Sequence, residues 1–170
     1  MGSGSGNTIE YILKGNATDA VIHRANCPVL IVPPKVHLDQ LDRIVFATNF
    51  EKEDIKAIRY LANLAKSFNF RLEVVHVTLG TERGQAVTDK ETGFRKLLSE
   101  LNANIAFLEI DGKEVVNGLT HFCKQTGADL LAITHHHYSF LERIFHDSTA
   151  KKILDRQKVP LMIFPLKKKE

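Results

Sequence analysis

Residues 44–77, IVFATNFEKEDIKAIRYLANLAKSFNFRLEVVHV, read as a strand, a helix and a second strand in direct succession. Ile44 to Thr48 and Leu72 to Val77 are short, continuous apolar runs, the pattern of strands covered on both faces. Between them, over Asp54 to Phe68, the residues Ile55, Ile58, Ala62, Ala65 and Phe68 recur at three- and four-residue spacing, which predicts one apolar helix face. The same alternation continues towards the C-terminus. A helix is expected over Lys90 to Leu101 and a strand over Ile105 to Ile110. A further helix carries Val115, Leu119, Phe122 and Cys123 and is closed by Gly127 as a left-handed cap. Then follow a strand over Leu130 to Thr134, a helix over Ser148 to Gln157 and a strand over Leu161 to Phe164. Repeated strand–helix alternation specifies an α/β fold, a parallel sheet with right-handed crossovers and helices on both faces. Such a sheet places ligands beyond the carboxyl ends of its strands, where the strand order reverses.

Working back towards the N-terminus, a helix, the short run Val29-Leu30-Ile31-Val32 and then Pro33-Pro34 fall outside that count. Sliding the chain against itself by 132 positions aligns residues 2–35 with 134–167 without a gap. Glu10 then meets Glu142, Ile12 Ile144, Arg24 Arg156, Pro28 Pro160, Ile31 Ile163, Pro33 Pro165 and Lys35 Lys167. Seven identities over these positions stand against roughly two for ordinary composition. The apolar positions Val21, Ile22 and Val29 also match Ile153, Leu154 and Leu161. The expected organisation is therefore the last helix and strand of a first domain copy over 1–34, a linker over 35–40 and a complete second copy over 41–166. The strands holding Val29 and Ile31, and Leu161 and Ile163, are equivalent in this reading. An apolar sheet edge left open invites aggregation, so the remnant strand is expected to run antiparallel against the last strand, within one chain or exchanged between two.

Composition narrows the function classes. The chain of 170 residues carries a net charge of +3, from 23 basic and 20 acidic side chains spread along its length, so no basic stripe marks a nucleic-acid protein. Two distant cysteines, Cys27 and Cys123, exclude a disulfide-dense scaffold and point to a reducing, cytoplasmic setting. No apolar run approaches the roughly 20 residues of a membrane span, and no apolar leader follows Met1.

Three pieces together resemble the universal stress protein family in its tandem form. They are Ile44-Val45-Phe46-Ala47-Thr48-Asn49-Phe50 before an alanine-containing helix, the strand ending Val75-His76-Val77, and Ala128-Asp129-Leu130-Leu131 leading through a loop to a helix and a strand opened by Pro160. The remnant carries Gly15-Asn16 and Ala25-Asn26-Cys27-Pro28-Val29-Leu30-Ile31-Val32 in the same style. The resemblance implies a Rossmann-like, adenine nucleotide alpha hydrolase-like three-layer sandwich with strand order 3-2-1-4-5, extended here by the antiparallel remnant strand. It also implies a homodimer or pseudo-dimer through the last strand. ATP-binding relatives hold phosphates with a glycine-rich loop before a helix N-terminus. Here Thr134, His137 and Asp147 stand at the three glycine positions, and only Ser148, followed by Thr149, keeps the type. Asn49 replaces the acidic residue that meets ribose or adenine. In the remnant, Gly2 and Ser5 fall opposite Thr134 and His137, and Gly15 opposite Asp147, with Asn16 beside it, although Met1 to Gly6 also reads as a glycine-serine linker of the kind added in cloning.

The expected role is accordingly a non-catalytic stress-response module with a degraded ATP-binding loop and no firm cofactor, acting through dimer contacts or a protein partner. The alternative is an ATP or AMP sensor in which Ala47, Thr48, Asn49 and Val77 hold adenosine and Thr134, His135 and His137 line the phosphate side. A second alternative is metal binding at His135-His136-His137, where alternation along an extended segment lets His135 and His137 share an ion. Ser148, opening a helix, reads first as a cap, and Cys123 as a core residue. Glu109, Asp111 and Asp129 form no pair fixed by spacing, and no enzymatic constellation is present.

Overall fold

The computed structural model describes residues 21–22, 24–33, 36, 38, 40–80, 88–101, 105–135 and 159–165. The expected helix over 148–157 and the loop that precedes it lie outside these residues, as do Gly2, Ser5, Gly15, Asn16, His137, Asp147, Ser148 and Thr149. In chain order the elements are β1 (Val29–Ile31), β2 (Arg43–Ala47), α1 (Lys52–Phe68), β3 (Arg71–Leu79), α2 (Asp89–Ser99), β4 (Ile105–Gly112), α3 (Val115–Thr126), β5 (Leu130–Thr134) and β6 (Leu161–Phe164).

They form one sheet in the order β4-β3-β2-β5-β6-β1. Counted from β2, the parallel part runs 3-2-1-4-5, and β1 closes the series antiparallel to β6. Chain order reverses direction between β2 and β5, which pair through Ile44↔Leu130, Val45↔Leu131 and Phe46↔Ala132. The switch point of the fold is therefore the seam between these two strands.

Each face of the sheet has its own core, as the uninterrupted apolar strands require. On one side Phe46, Leu72, Val74, Leu130 and Ala132 meet Ile55, Ile58, Leu61 and Ala62 of α1 and Phe94 and Leu98 of α2. On the other, Val45, Val75, Val77, Leu131 and Ile133 meet Val116, Leu119 and Cys123 of α3. Ile22 and Ala25 pack with this second cluster, beside Val29 and Ile31.

Helix ends follow their local chemistry. Asp54, at the third position of α1, reaches back to the Glu51 amide (3.2 Å), half of a capping box. Thr88 caps α2 by accepting from the Glu91 amide at 3.1 Å. α1 and α3 end on left-handed residues, Asn69 (φ 56°) and the expected Gly127 (φ 65°). Phe68 departs from the expected apolar face. It is 69% exposed on the last turn of α1, whereas Leu61 (0%) and Phe70 (6%) cover the sheet instead. The spacing that selects Phe68 ignores where the helix stops.

Candidate functional site

The C-terminal ends of β2, β3 and β5 come together at the switch point, and the organising group there is Asp54, fully buried in the first turn of α1. Its Oδ2 accepts from the Thr48 hydroxyl (2.8 Å) and from the amides of Asn49 (3.2 Å) and Glu51 (3.2 Å). Its Oδ1 accepts from the Thr134 hydroxyl at 2.6 Å, across 80 residues of chain. The Thr48 oxygen accepts in turn from the Phe50 amide at 3.0 Å. A buried carboxylate is tolerable only when its lone pairs are matched by donors in this way. One side chain therefore stitches the β2–α1 turn to the end of β5.

The turn itself is unusual. Phe50 adopts φ 62°, a left-handed value that is rare for an aromatic residue. The conformation lays its ring against His76 (centroids 4.3 Å apart) and Phe94 (5.5 Å), with Phe107 at 6.1 Å. Arg95 stacks over Phe107 at 4.2 Å and bonds Glu91 and Glu109. Such a cluster offsets local strain of about 1–3 kcal/mol with several aromatic contacts. His76 Nδ1 lies 3.0 Å from the Thr48 carbonyl, which only accepts, so Nδ1 carries a proton and donates it there.

The residues predicted from sequence divide sharply. Ala47 and Val77 are buried on the α3 side, and a Cβ at Gly112 or Gly118 would stand 2.7 or 3.0 Å from Val77 Cγ1. These two glycines let the start of α3 sit down on Val77. Thr48 and Thr134 are buried with their hydroxyls committed to Asp54. Asn49 is exposed, its amide alone held by Asp54. His135 follows directly on β5. Val29 and Ile31 do face Ile163 and Leu161 across the β1–β6 ladder. Among the described residues no group of three His, Cys, Asp or Glu side chains is placed to hold a metal ion, and no helix is long and apolar enough to cross a membrane.

Asp54, Phe50 and the glycine pair were not singled out from sequence. The Glu51-x-x-Asp54 spacing ahead of an apolar periodic run was the available signal for Asp54. No local pattern announces that Thr134 is its partner. At the opposite end of the strands a cavity of about 440 Å³ is lined by Asp42, Arg43, Asn69, Arg71, Thr126 and Asp129. There Asp129 Oδ2 accepts from the amides of Asp42 (2.9 Å) and Arg43 (2.8 Å), fastening the start of β2 to the start of β5. Beneath α3, burial, aided by the negative charge of Glu73, pushes the Cys123 thiol up to about 12, so it stays protonated and unreactive.

A doubly wound sheet whose strand order reverses between β2 and β5 defines a Rossmann-like α/β domain. Residues 40–165 match the model of the universal stress protein family, and the chain belongs to that family. It is similar to a universal stress protein from Archaeoglobus fulgidus DSM 4304 (20% identity, 96% of this chain and 58% of that one, TM-score 0.67). It is also similar to a putative universal stress protein from Pseudomonas aeruginosa UCBPP-PA14 (14% identity, 97% and 62%, TM-score 0.58). A universal stress protein solved in complex with cAMP matches at 15% identity over 74% of this chain and 97% of that one, with TM-score 0.54. The chain thus spans about three fifths of the first two proteins and nearly all of the third. No curated protein sequence matches it.

Proposed function

We propose that this chain is a non-catalytic stress-response module whose nucleotide site is weakened and which acts through dimer-like contacts or a protein partner. The observation that carries this reading is the fate of carboxylates at the switch point. Position 49, where the family resemblance expects an acid for ribose or adenine, offers a neutral amide on an exposed asparagine. The carboxylate buried at this turn, Asp54, has both oxygens occupied by protein donors, and Glu51 in the same turn is paired with Lys90 at 2.6 Å. A sugar hydroxyl reaching this end of β2 would meet a neutral amide at position 49 in place of a carboxylate, and charge-assisted bonds are the stronger kind. Thr134 contributes differently from the expectation attached to a lost glycine, because its side chain turns to Asp54 rather than towards a phosphate. The replacements at His137 and Asp147 add to the argument from sequence alone, since a side chain at a phosphate cradle and a negative charge at a helix N-terminus both oppose phosphate.

Titration calorimetry with ATP, AMP and cAMP is the test. Dissociation constants above about 1 mM, equivalent to less than about 4 kcal/mol of binding, are expected for all three. Micromolar binding of any of them would sink the weakened-site reading. It would instead favour a nucleotide sensor holding adenosine at Ala47, Asn49 and Val77, a reading supported by the cAMP complex of the structural neighbour. The organisation that goes with this proposal is the end of a first domain copy over 1–34 followed by a full domain over 41–166, with dimer-like contacts through the last strand.

A further inference from the structure

The cavity at the N-terminal ends of the strands takes no part in the function proposed above, and its charges do not balance. Two helices end on it. The C-cap residues of α1 and α3, Asn69 and Gly127, both line its wall, so the negative ends of two helix dipoles meet there. Asp42 and Asp129 add their carboxylates to the same wall. Asp42 Oδ1 accepts from Gln40 Nε2 (3.1 Å) and Asp129 Oδ2 from two backbone amides, which leaves the second oxygen of each without a hydrogen-bond partner among the described residues.

Arg43 and Arg71 line the cavity too, yet neither answers these aspartates. Arg43 is drawn inwards, its Nε 3.6 Å from Glu73 Oε1. The register accounts for this, since Arg43 pairs with Arg71 across β2 and β3, and Glu73 leaves the same face of the sheet two residues further on. Glu73 is only 6% exposed, and its Oε2 is buried with no hydrogen-bond partner among the described residues. A carboxylate left short of donors in this way holds its one cation and calls for another. Arg71 is exposed and forms no ion pair with either aspartate among the described residues.

We infer that this cavity binds a small organic cation, an alkylammonium whose N–H groups bridge the free oxygens of Asp42 and Asp129 beneath the two helix C-termini. Size and donor chemistry select the class. A volume of about 440 Å³ suits a small molecule. A bare divalent ion requires a cage of oxygen ligands, and among the described residues no group of three His, Cys, Asp or Glu side chains is placed to hold one. An anion would face both aspartates and both helix C-termini. Arg71, on a long side chain at the rim, competes with the ligand rather than holding it. The site lies at the opposite end of the sheet from Asp54, so nucleotide calorimetry and the following experiment fail separately.

Titration of the isotope-labelled full chain with the diamine putrescine at fixed pH and ionic strength, followed through amide chemical shifts, tests the proposal. Saturable shifts should cluster at residues 42–43, 69–71 and 126–129, with a dissociation constant of about 1 mM or below, and the uncharged analogue butanediol should cause none. Asp42→Asn/Asp129→Asn, whose amide oxygens can still accept the existing bonds, should weaken binding about tenfold, while Arg71→Gln should bind as tightly or more tightly. Absence of saturable shifts, equal affinity in the double variant, equal shifts from butanediol, or loss of binding in Arg71→Gln would each overturn the proposal. Asp42→Asn alone, which touches no bond between β2 and β5, provides the same readout should the double variant fail to fold; unchanged affinity there would overturn it equally.

Discussion

Two aspartates hold the two ends of the β2–β5 seam, and they do it differently. Asp54 at the C-terminal end is completely buried, bonds two side-chain hydroxyls and two amides, and joins elements 80 residues apart. Asp129 at the N-terminal end borders an open cavity and uses one oxygen on two amides of the facing strand. Solvent can replace what Asp129 provides but not what Asp54 provides. An unsatisfied buried donor retains its full desolvation cost, whereas a half-exposed one finds water. The end of the sheet where this fold class seats its ligands is thus the end most tightly committed to internal bonds.

The contrast sets an order of effects. Asp54→Ala orphans the Thr48 and Thr134 hydroxyls and two turn amides together, and should cost about 3–5 kcal/mol, lowering the melting temperature by about 10 °C in calorimetry. A loss as small as that at Asp129 would show that water enters the seam. Asp129→Ala should cost about 1–2 kcal/mol by urea denaturation, because its two donors remain open to solvent. Thr134→Val removes a single donor and keeps the volume, at about 1 kcal/mol. Combined with Asp54→Ala, it should add almost nothing, since both lesions break the same bond.

A last effect lies away from the seam and shows only at alkaline pH. The Cys123 thiol is raised from about 9 to about 12 by burial and the Glu73 charge. Between those values the unfolded chain releases a proton that the folded chain keeps, so this thiol leaves stability unchanged below pH 9 and lowers it as pH rises through this window. Cys123→Ala should flatten that alkaline decline in melting curves while costing some packing at neutral pH. An unchanged slope would place the decline on other groups.

Much of this structure is written in local sequence. The apolar runs identify the strands, Gly127 marks the end of α3, and the order of elements leads to the doubly wound sheet. Phe68 shows where the spacing rule stops working, since periodicity continues one position past the edge that the helix covers. The site is less legible. Asn49 stands out in the sequence as a neutral residue at an expected acidic position, but no local pattern links the Thr134 hydroxyl to a buried network or shows that Asp54 organises it.

The sequence by itself determined the βαβ alternation, the family and the 132-position internal similarity, because periodicity, caps and repeats are properties of neighbouring residues. Only the tertiary structure decided that Asp54 binds Thr134, and that β1 lies on β6 of the same chain with Leu30 facing Met162. Both depend on which strands the crossovers make adjacent. The hydrogen-bonding needs of a buried carboxylate and of a sheet edge state that partners must exist, and adjacency alone names them.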